Sequence, residues 1–593
     1  MRKDGIRRIK KALSVSVIMA AAVCGIAMGT GRDVYGATDS QETLAAGETA
    51  VSDETGENGE PAVPEIPAPT EKAVLSCTTD GTDVIISAAV SGEVSDPQVY
   101  DNYWYLFELQ PYEDELGERK DYLAWWTKGD RVSYSLPLGF GTGDDRLYCK
   151  YVLAVYDGTV YHAISAPSYI TNPEAVARNT ADFKTPQTKK GLLIDGMMIA
   201  DAMELGVKHT SINIAFNQVL GEGIEYRYDG KTYHFNKALM EEYDKIVDVF
   251  SGKDIMVTAI LVNGWNDNTP QLFLPGVEKS SEAHYYGFNA STKEGVDTIK
   301  AVASFLADRY SGMAGSKGKV SNWVIGNEIN NNRIWNYAGE MELEEYVREY
   351  MKAFRVFYTA VKSTSSNDRL YFSTDFFWTE PEESLLNYGA REVIDTFGAM
   401  VKEGGDISWG LSYHPYPDPL TEPEFWDDGL NGRATESPDT RIVNFNNLHI
   451  LTDHMKSREL LAPDGSVRHI ILSEQGFSSK SASRGDIERV QAAALAYAYY
   501  IADSNPYIDA ILMNRQVDNV HEVRQGTAFG LWRCDMSSPD YPVPTMRKPA
   551  WIVFGVIDKK SSLEETEFAK EIIGISKWSD VIPNFKWKKY ENQ

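Results

Sequence analysis

The sequence predicts an α/β protein in which a (β/α)8 TIM barrel follows an N-terminal all-β sandwich. From about residue 185, short apolar runs alternate with amphipathic stretches of helical length, the rhythm of parallel strands and their covering helices. Between residues 73 and 172 the pattern is different, with alternating strand-like runs closed by turn pairs. The length, 593 residues, exceeds what one ordinary core accommodates, so two or more domains are expected.

In chain order, residues 1–37 read as a secretory signal peptide. Arg2, Lys3, Arg7, Arg8, Lys10 and Lys11 precede an apolar stretch from Ala12 to Met28, followed by Tyr35-Gly36-Ala37. An uncleaved membrane anchor is the alternative for the same stretch, and Cys24 after Ala21-Ala22-Val23 matches a lipoprotein site poorly. A secreted or cell-surface protein is expected, and the form of the signal points to a bacterial source. Residues 38–72 hold nine acids, one lysine and Pro61, Pro64, Pro67 and Pro69. Such a segment buries too little apolar surface to offset its ordering entropy, so it reads as a disordered acidic linker.

Residues 73–172 carry the run from Val84 to Val90 and the alternation Leu147, Cys149, Tyr151, Leu153, Val155, bounded by Asp80-Gly81 and Asp157-Gly158. That spacing predicts an immunoglobulin/fibronectin-like or carbohydrate-binding-like sandwich. Its Trp104, Trp125 and Trp126 serve either as core or as a sugar-stacking platform. The barrel is assigned to residues 185–593, with strands near 190–195, 207–216, 255–263, 322–327, 369–376, 407–414, 468–473 and 508–514. Leu343 to Val361 and Ile487 to Ile501 are among the amphipathic stretches between them, and the first unit is short. Long segments follow strands two, three, six and eight, the first with a hairpin signal around Asp229-Gly230. On a barrel all four would share the C-terminal face, where such folds build clefts.

The formal charge is −28, and the chain without residues 1–37, which hold seven bases and two acids, carries −33. Such a surface repels phosphate backbones and anionic lipid, which disfavours nucleic acid as a partner. Outside the signal segment remain Cys77, Cys149 and Cys534; an export route permits a Cys77–Cys149 disulfide, and buried free thiols are the alternative. There is no CxxC or HExxH pattern, and His449 and His454 are off the i,i+4 spacing of a helical metal site, so no metal or other cofactor is expected. A monomer without a membrane span after signal removal is expected.

Two glutamates carry the chemistry. Glu328 ends Trp323-Val324-Ile325-Gly326-Asn327-Glu328, and Glu474 sits in His469-Ile470-Ile471-Leu472-Ser473-Glu474-Gln475-Gly476. A carboxylate beside a buried run needs a reason, because an unpaired buried charge costs several kcal/mol. One such glutamate serves equally as a helix cap or a surface ion pair. Two facing one cleft are what acid/base or nucleophilic work on a glycosidic bond requires. Asn327-Glu328 after strand four and Ser-Glu-Gln-Gly after strand seven resemble the retaining β-glycosidases of the large (β/α)8 glycoside hydrolase clan, which includes cellulase-like and β-xylosidase-like families. The resemblance spans residues 185–560 through short motifs in order.

The resemblance implies that Glu328 is the general acid/base, Glu474 the nucleophile and Asn327 a donor to the sugar 2-hydroxyl. It also implies that His or Tyr after strand six holds the nucleophile; in Ser412-Tyr413-His414-Pro415-Tyr416 either His414 or Tyr416 serves, unless both simply pack beside a proline turn. The chain departs from the clan at strand eight, where Met513-Asn514-Arg515-Gln516-Val517-Asp518-Asn519 replaces the usual Trp. It departs again near strand two, where Asn213 and Asn217 stand in place of an Arg. These departures bear on the substrate. Asn514 and Arg515 are candidate substrate contacts; Arg515 binds an acidic sugar or pairs with Asp518. Trp265, Tyr285, Tyr286, Trp335, Trp378 and Trp532 fall in or near the predicted face loops, an enrichment that suits a carbohydrate cleft although about half are expected to be loop core; Trp265, Trp335 and Trp378 are taken as the sugar-stacking candidates. Asp375 after strand five is a spare carboxylate.

A secreted retaining β-glycosidase acting on a poly- or oligosaccharide is therefore the expectation. Its rivals are a non-catalytic carbohydrate-binding surface protein and a transglycosidase. A serine hydrolase is weaker, with no Gly-x-Ser-x-Gly elbow and no evident acid for Ser412 and His414.

Overall fold

A computed structural model describes residues 73–90, 100–381, 384–538, 541–586 and 589–590. The expected signal peptide and acidic linker lie outside the described residues.

The first layer is antiparallel. Strands β1 (Ala73–Thr79), β2 (Asp83–Val90) and β5 (Arg131–Pro137) form one sheet in the order β1-β2-β5. Strands β3 (Tyr103–Leu109), β4 (Ala124–Thr127), β6 (Lys150–Tyr156) and β7 (Tyr161–Ala163) form the second in the order β4-β3-β6-β7, with β8 (Ser168–Tyr169) pairing on β6. Val84, Ile86 and Ala88 point inward while Ile85 is exposed, the period-2 alternation that lets one face of β2 build a core with Leu106 and Leu153. Cys77 and Cys149 are buried and free, and burial pushes each thiol up to about 12, so the disulfide that the sequence permits is not formed. The three tryptophans form no common platform. Trp104 is core, its indole N–H donating to the Gly129 carbonyl (3.0 Å); Trp126 packs edge-on to Tyr134; only Trp125 is exposed, at 53 %.

The sandwich rests on the second layer through Lys352, whose ammonium lies 2.9 Å from Asp114, and through Tyr169, whose N–H donates to the Gly404 carbonyl (2.9 Å). Strands β9 (Lys190–Leu193) and β10 (His209–Ala215) open the barrel; β11 (Gly223–Tyr228) and β12 (Lys231–Asn236) form the predicted hairpin. Asp229 (φ 48°) and Gly230 (φ 72°) occupy its turn, both in the left-handed region that a two-residue hairpin loop requires. Then come β13 (Met256–Val262), β14 (Asn322–Ile325), β15 (Arg369–Thr374), β16 (Trp409–Tyr413) and β17 (Ile470–Gln475). A short ribbon of β18 (Lys480–Ser481) and β19 (Gly485–Asp486) precedes β20 (Ile508–Met513). Eight of these strands close as a parallel barrel in the order β9-β10-β13-β14-β15-β16-β17-β20.

Its interior is filled by Ile260, Val324, Tyr371, Ile471 and Leu512, side chains that alternate with those facing the helices. Helix Leu343–Lys362 shows the outer packing: Tyr346, Val347, Tyr350, Phe354 and Phe357 recur at helical spacing and are buried. The short first unit carries the seven-residue helix Ile199–Leu205.

Most barrel strands end one or two residues short of expectation, and two of the ends bear on the site. β14 stops at Ile325, because Gly326 (φ 76°) and Glu328 (φ 40°) leave the extended region. β17 continues to Gln475, so Glu474 lies within the strand.

Lys190 on β9 and Asp558 form a buried ion pair at 2.5 Å, and Thr188 also donates to Asp558 (2.9 Å). Asp558→Ala would leave a buried ammonium without its carboxylate, a loss of about 3–5 kcal/mol. A clear drop in the midpoint of thermal unfolding is expected; an unchanged midpoint would show the pair to be inert.

Candidate active site

The C-terminal ends of β14, β15, β16, β17 and β20 bring together residues distant in the chain. Glu328 follows β14 in a left-handed conformation that L-residues adopt at a cost of about 1–3 kcal/mol. Two hydrogen bonds hold it there: its N–H donates to Ser373 Oγ on β15 (3.2 Å), and its carbonyl accepts from Asn331 N–H (2.8 Å). Glu474 lies where the pairing of β17 with β20 shifts register between Leu472 and Gln475. Such a bulge re-aims a side chain relative to regular alternation. Gly476 is required just beyond it, since a Cβ there would sit 2.4 Å from the Asn514 carbonyl oxygen. The glycine of Glu-x-Gly thus lets the ends of β17 and β20 approach.

The two carboxyls are both buried but have different polar partners. Glu328 has a side chain 12 % exposed, and burial pushes its carboxyl up to about 8. Its closest polar neighbour is His414 Nδ1, 2.7 Å from Oε1. Burial also lowers the basicity of His414, favouring neutral imidazole. The histidine's other nitrogen faces Ser473 Oγ (2.9 Å) and Ser373 Oγ (3.3 Å), and Ser473 is bonded to Ser412 in turn. All three serines are buried, so this Ser–His–Glu array positions the imidazole and offers no accessible hydroxyl.

Glu474 is likewise raised by burial and by neighbouring Glu328, against which the Tyr416 hydroxyl and the Arg515 charge act. Tyr416 donates to Glu474 Oε1 (2.9 Å); Asn514 Nδ2 donates to the Tyr416 oxygen (2.8 Å) and lies 3.4 Å from the same carboxylate oxygen. Of the two strand-six candidates, Tyr416 contacts Glu474 and His414 contacts Glu328.

Asp375 is also pushed up, to about 7, by burial and then by Glu328. It is already engaged: its Oδ1 accepts from Asn330 Nδ2 (2.5 Å) and the Phe377 N–H (2.9 Å), and its own N–H donates to Asn330 Oδ1 (2.9 Å). Arg515 makes no pair with Asp518, which is instead held by Lys548 at 2.7 Å. Arg515 Nε donates to Asn514 Oδ1 (3.3 Å), and its guanidinium lies 3.9 Å from Glu522.

The aromatic candidates divide. Trp335 is half-buried at the barrel mouth, against the interior cluster and Tyr285, and its backbone N–H donates to the Asn331 carbonyl (3.0 Å). Trp265 is half-buried and stacks on Phe273 at 4.5 Å. Trp378 is fully buried with its indole N–H satisfied by the Pro438 carbonyl (3.0 Å), so it packs the loop and cannot meet a ligand. Tyr285 and Tyr286 are buried, and Trp532 donates to Asp201 (3.1 Å). Asn327 lies partly buried between Gly326 and Glu328. Asn217 Oδ1 accepts from Gly264 N–H (3.2 Å). Ser373, Ser473 and the Asn330–Asp375 pair were not foreseen, because only the barrel closure brings them under His414 and Glu328.

Among the described residues no group of three or more His, Cys, Asp or Glu is placed to hold a metal ion. Nor is any helix long and apolar enough to cross a membrane.

The fold and site define a barrel protein with paired carboxyls at its C-terminal face. Residues 182–581 match the model of a Family of unknown function (DUF5722), and the chain belongs to that family. No curated protein sequence matches it. Among solved structures it is similar to a family 39 glycoside hydrolase from the gut symbiont Bacteroides cellulosilyticus WH2, at 16 % identity over 83 % of each chain, TM-score 0.42. It is similar also to a hyperthermophilic β-glucosidase from Pyrococcus furiosus, at 15 % identity over 64 % of this chain and 87 % of that one, TM-score 0.39. A family 1 β-glucosidase from Thermotoga maritima gives 16 % identity, 62 % and 86 % coverage and a TM-score of 0.38. These likenesses are too distant to bear on reaction or substrate.

Proposed function

We propose that the protein is an exported retaining β-glycoside hydrolase acting on a poly- or oligosaccharide, with Glu328 as acid/base and Glu474 as nucleophile. One observation carries the reading: two carboxyls share a buried site, Glu328 raised by burial to about 8 beside the neutral His414, and Glu474 also raised by burial but offset by the Tyr416 hydroxyl and the Arg515 charge. Such a split is what double displacement needs. Protonated Glu328 gives its proton to the leaving oxygen as the glycosidic bond breaks, and Glu474 closes on the anomeric carbon. Water then attacks the glycosyl-enzyme, Glu328 accepting its proton, and the product leaves with the configuration of the substrate. Trp335 offers an apolar face at the barrel mouth, and Asn327 is placed beside the acid. The basic-then-apolar N-terminus supports export.

The test is incubation with aryl β-glycosides and β-linked oligosaccharides, following the first-formed anomer by NMR. A β product supports the reading and an α product overturns retention. Sugar binding with no reducing ends released over days would leave a carbohydrate-binding protein, and transfer at high acceptor concentration a transglycosidase.

The pH dependence follows from the two carboxyls. Glu328 must be protonated, so activity holds below its pKa and falls as pH rises through about 8. Glu474 must be ionised, so activity is lost as pH falls through a value that burial places above the ordinary carboxylate range. A bell-shaped kcat/KM profile is expected; a rate still rising above pH 9 would contradict it. Tyr416→Phe removes a donor to the anion, worth about 1.5–3 kcal/mol, and should shift the acidic limb upward by about one to two units. A shift of the basic limb instead would reverse the assignment.

A further inference from the structure

Beside Glu328 lies a groove of about 580 Å³ between the loops that follow β14, β15 and β16. Asn331 links it to the acid, since Asn331 N–H donates to the Glu328 carbonyl (2.8 Å). Around the barrel these loops stand opposite those of β20, β9 and β10. Three arginines line the groove, Arg333, Arg433 and Arg441. That is unusual on a chain with a formal charge of −28, whose surface in general repels anions.

The arginines are only partly used by the protein. Arg433 is spent on structure, its Nη2 lying 3.0 Å from Glu380 and its Nε 2.6 Å from Asp418. Arg441 is 58 % exposed and pairs with Glu380 through Nε, and its terminal nitrogens make no hydrogen bond to the described residues. Arg333 reaches Glu282 through Nη1 at 3.4 Å, with both side chains exposed, and its Nε and Nη2 have no acceptor among the described residues. Asn331 Oδ1 is buried in the same wall with no hydrogen-bond partner. Of the two carboxyls in the lining, Glu380 is taken by the arginines, and Asp375 is engaged by Asn330. The groups left open to the groove are thus planar cationic donors. A planar fork of guanidinium N–H groups matches an oxyanion of carboxylate or sulfate geometry.

The geometry points to a subsite for an anionic sugar residue on the leaving-group side of Glu328, its carboxylate or sulfate taken by the terminal nitrogens of Arg441 and Arg333. The leaving-group side follows from the proposed role of Glu328 as acid, so this part rests on the glycosidase reading. The preference for an anion does not.

Isothermal titration calorimetry on the full chain carrying Glu474→Gln tests it without turnover. The probes are a β-linked oligosaccharide bearing a hexuronic acid, the same oligosaccharide with its carboxyl reduced to the alcohol, and a sulfated counterpart. At low salt the uronate or the sulfated sugar should bind at least about tenfold more tightly than the reduced form. That preference should shrink with added salt and vanish in Arg333→Gln/Arg441→Gln, two exposed positions whose replacement leaves the core untouched. Whichever anion binds more tightly identifies the source of the charge. Equal affinity for charged and reduced forms, or a preference that survives the double substitution, overturns the proposal. If the anion preference holds and depends on the arginines while the unsubstituted chain cleaves nothing, the glycosidase reading fails and the anion site stands. If neutral glycosides are cleaved and no anion preference exists, the reverse holds.

Discussion

Glu474→Gln is expected to lower kcat by about four orders of magnitude or more, the scale seen when a covalent nucleophile is removed. The substitution is nearly isosteric, and the amide oxygen can still accept from Tyr416, which donates at 2.9 Å in the parent. The fold should therefore survive, with an unchanged thermal midpoint. What disappears is the anion that closes on the anomeric carbon, and an amide does not replace it. A sharper version uses Glu474→Gly with added azide. The small anion enters from the nucleophile's side, so it should restore release of an activated leaving group and give a glycosyl azide of inverted configuration. Full activity in Glu474→Gln, or a rescued product of retained configuration, would move the nucleophile elsewhere.

Glu328→Gln should behave differently. General acid assistance is worth about 10²–10⁴-fold where the leaving group is a sugar alcohol. An activated aryl leaving group needs no proton, so bond cleavage should be nearly unaffected for such a substrate. Hydrolysis of the glycosyl-enzyme still needs the base, and the intermediate should accumulate, visible as a burst of released phenol followed by slow turnover. The contrast between leaving groups is the discriminating readout. A uniform loss with every substrate and no burst would indicate that Glu328 maintains structure, consistent with its left-handed backbone, and takes no part in proton transfer.

Much of this architecture was legible in the chain. Alternation in β2 and helical spacing in Leu343–Lys362 are local properties, so one stretch of sequence suffices to reveal each. The eight barrel strands were legible for the same reason, although the ends of β14 and β17 depended on left-handed and bulged backbone that residue type does not announce. Glu328 and Glu474 stood out because a charge in an apolar run is costly unless used. The rest is tertiary. Nothing near Trp378 in sequence says that Pro438 will cover its indole, and nothing near Asp518 says that Lys548 will reach it first. Ser373, Ser412 and Ser473 are ordinary residues in three separate strands until closure sets them beneath one imidazole.

The pairing of β9 with β20, reinforced by Lys190 and Asp558, also has a consequence for biosynthesis. The first barrel strand waits for the last, so the ring cannot close until nearly the whole chain has been made. The sandwich, complete by Tyr169, is free to fold far earlier. Polypeptides released before residue 508 should therefore carry a finished sandwich joined to an open parallel sheet, and quality-control proteases should remove the latter while sparing the former.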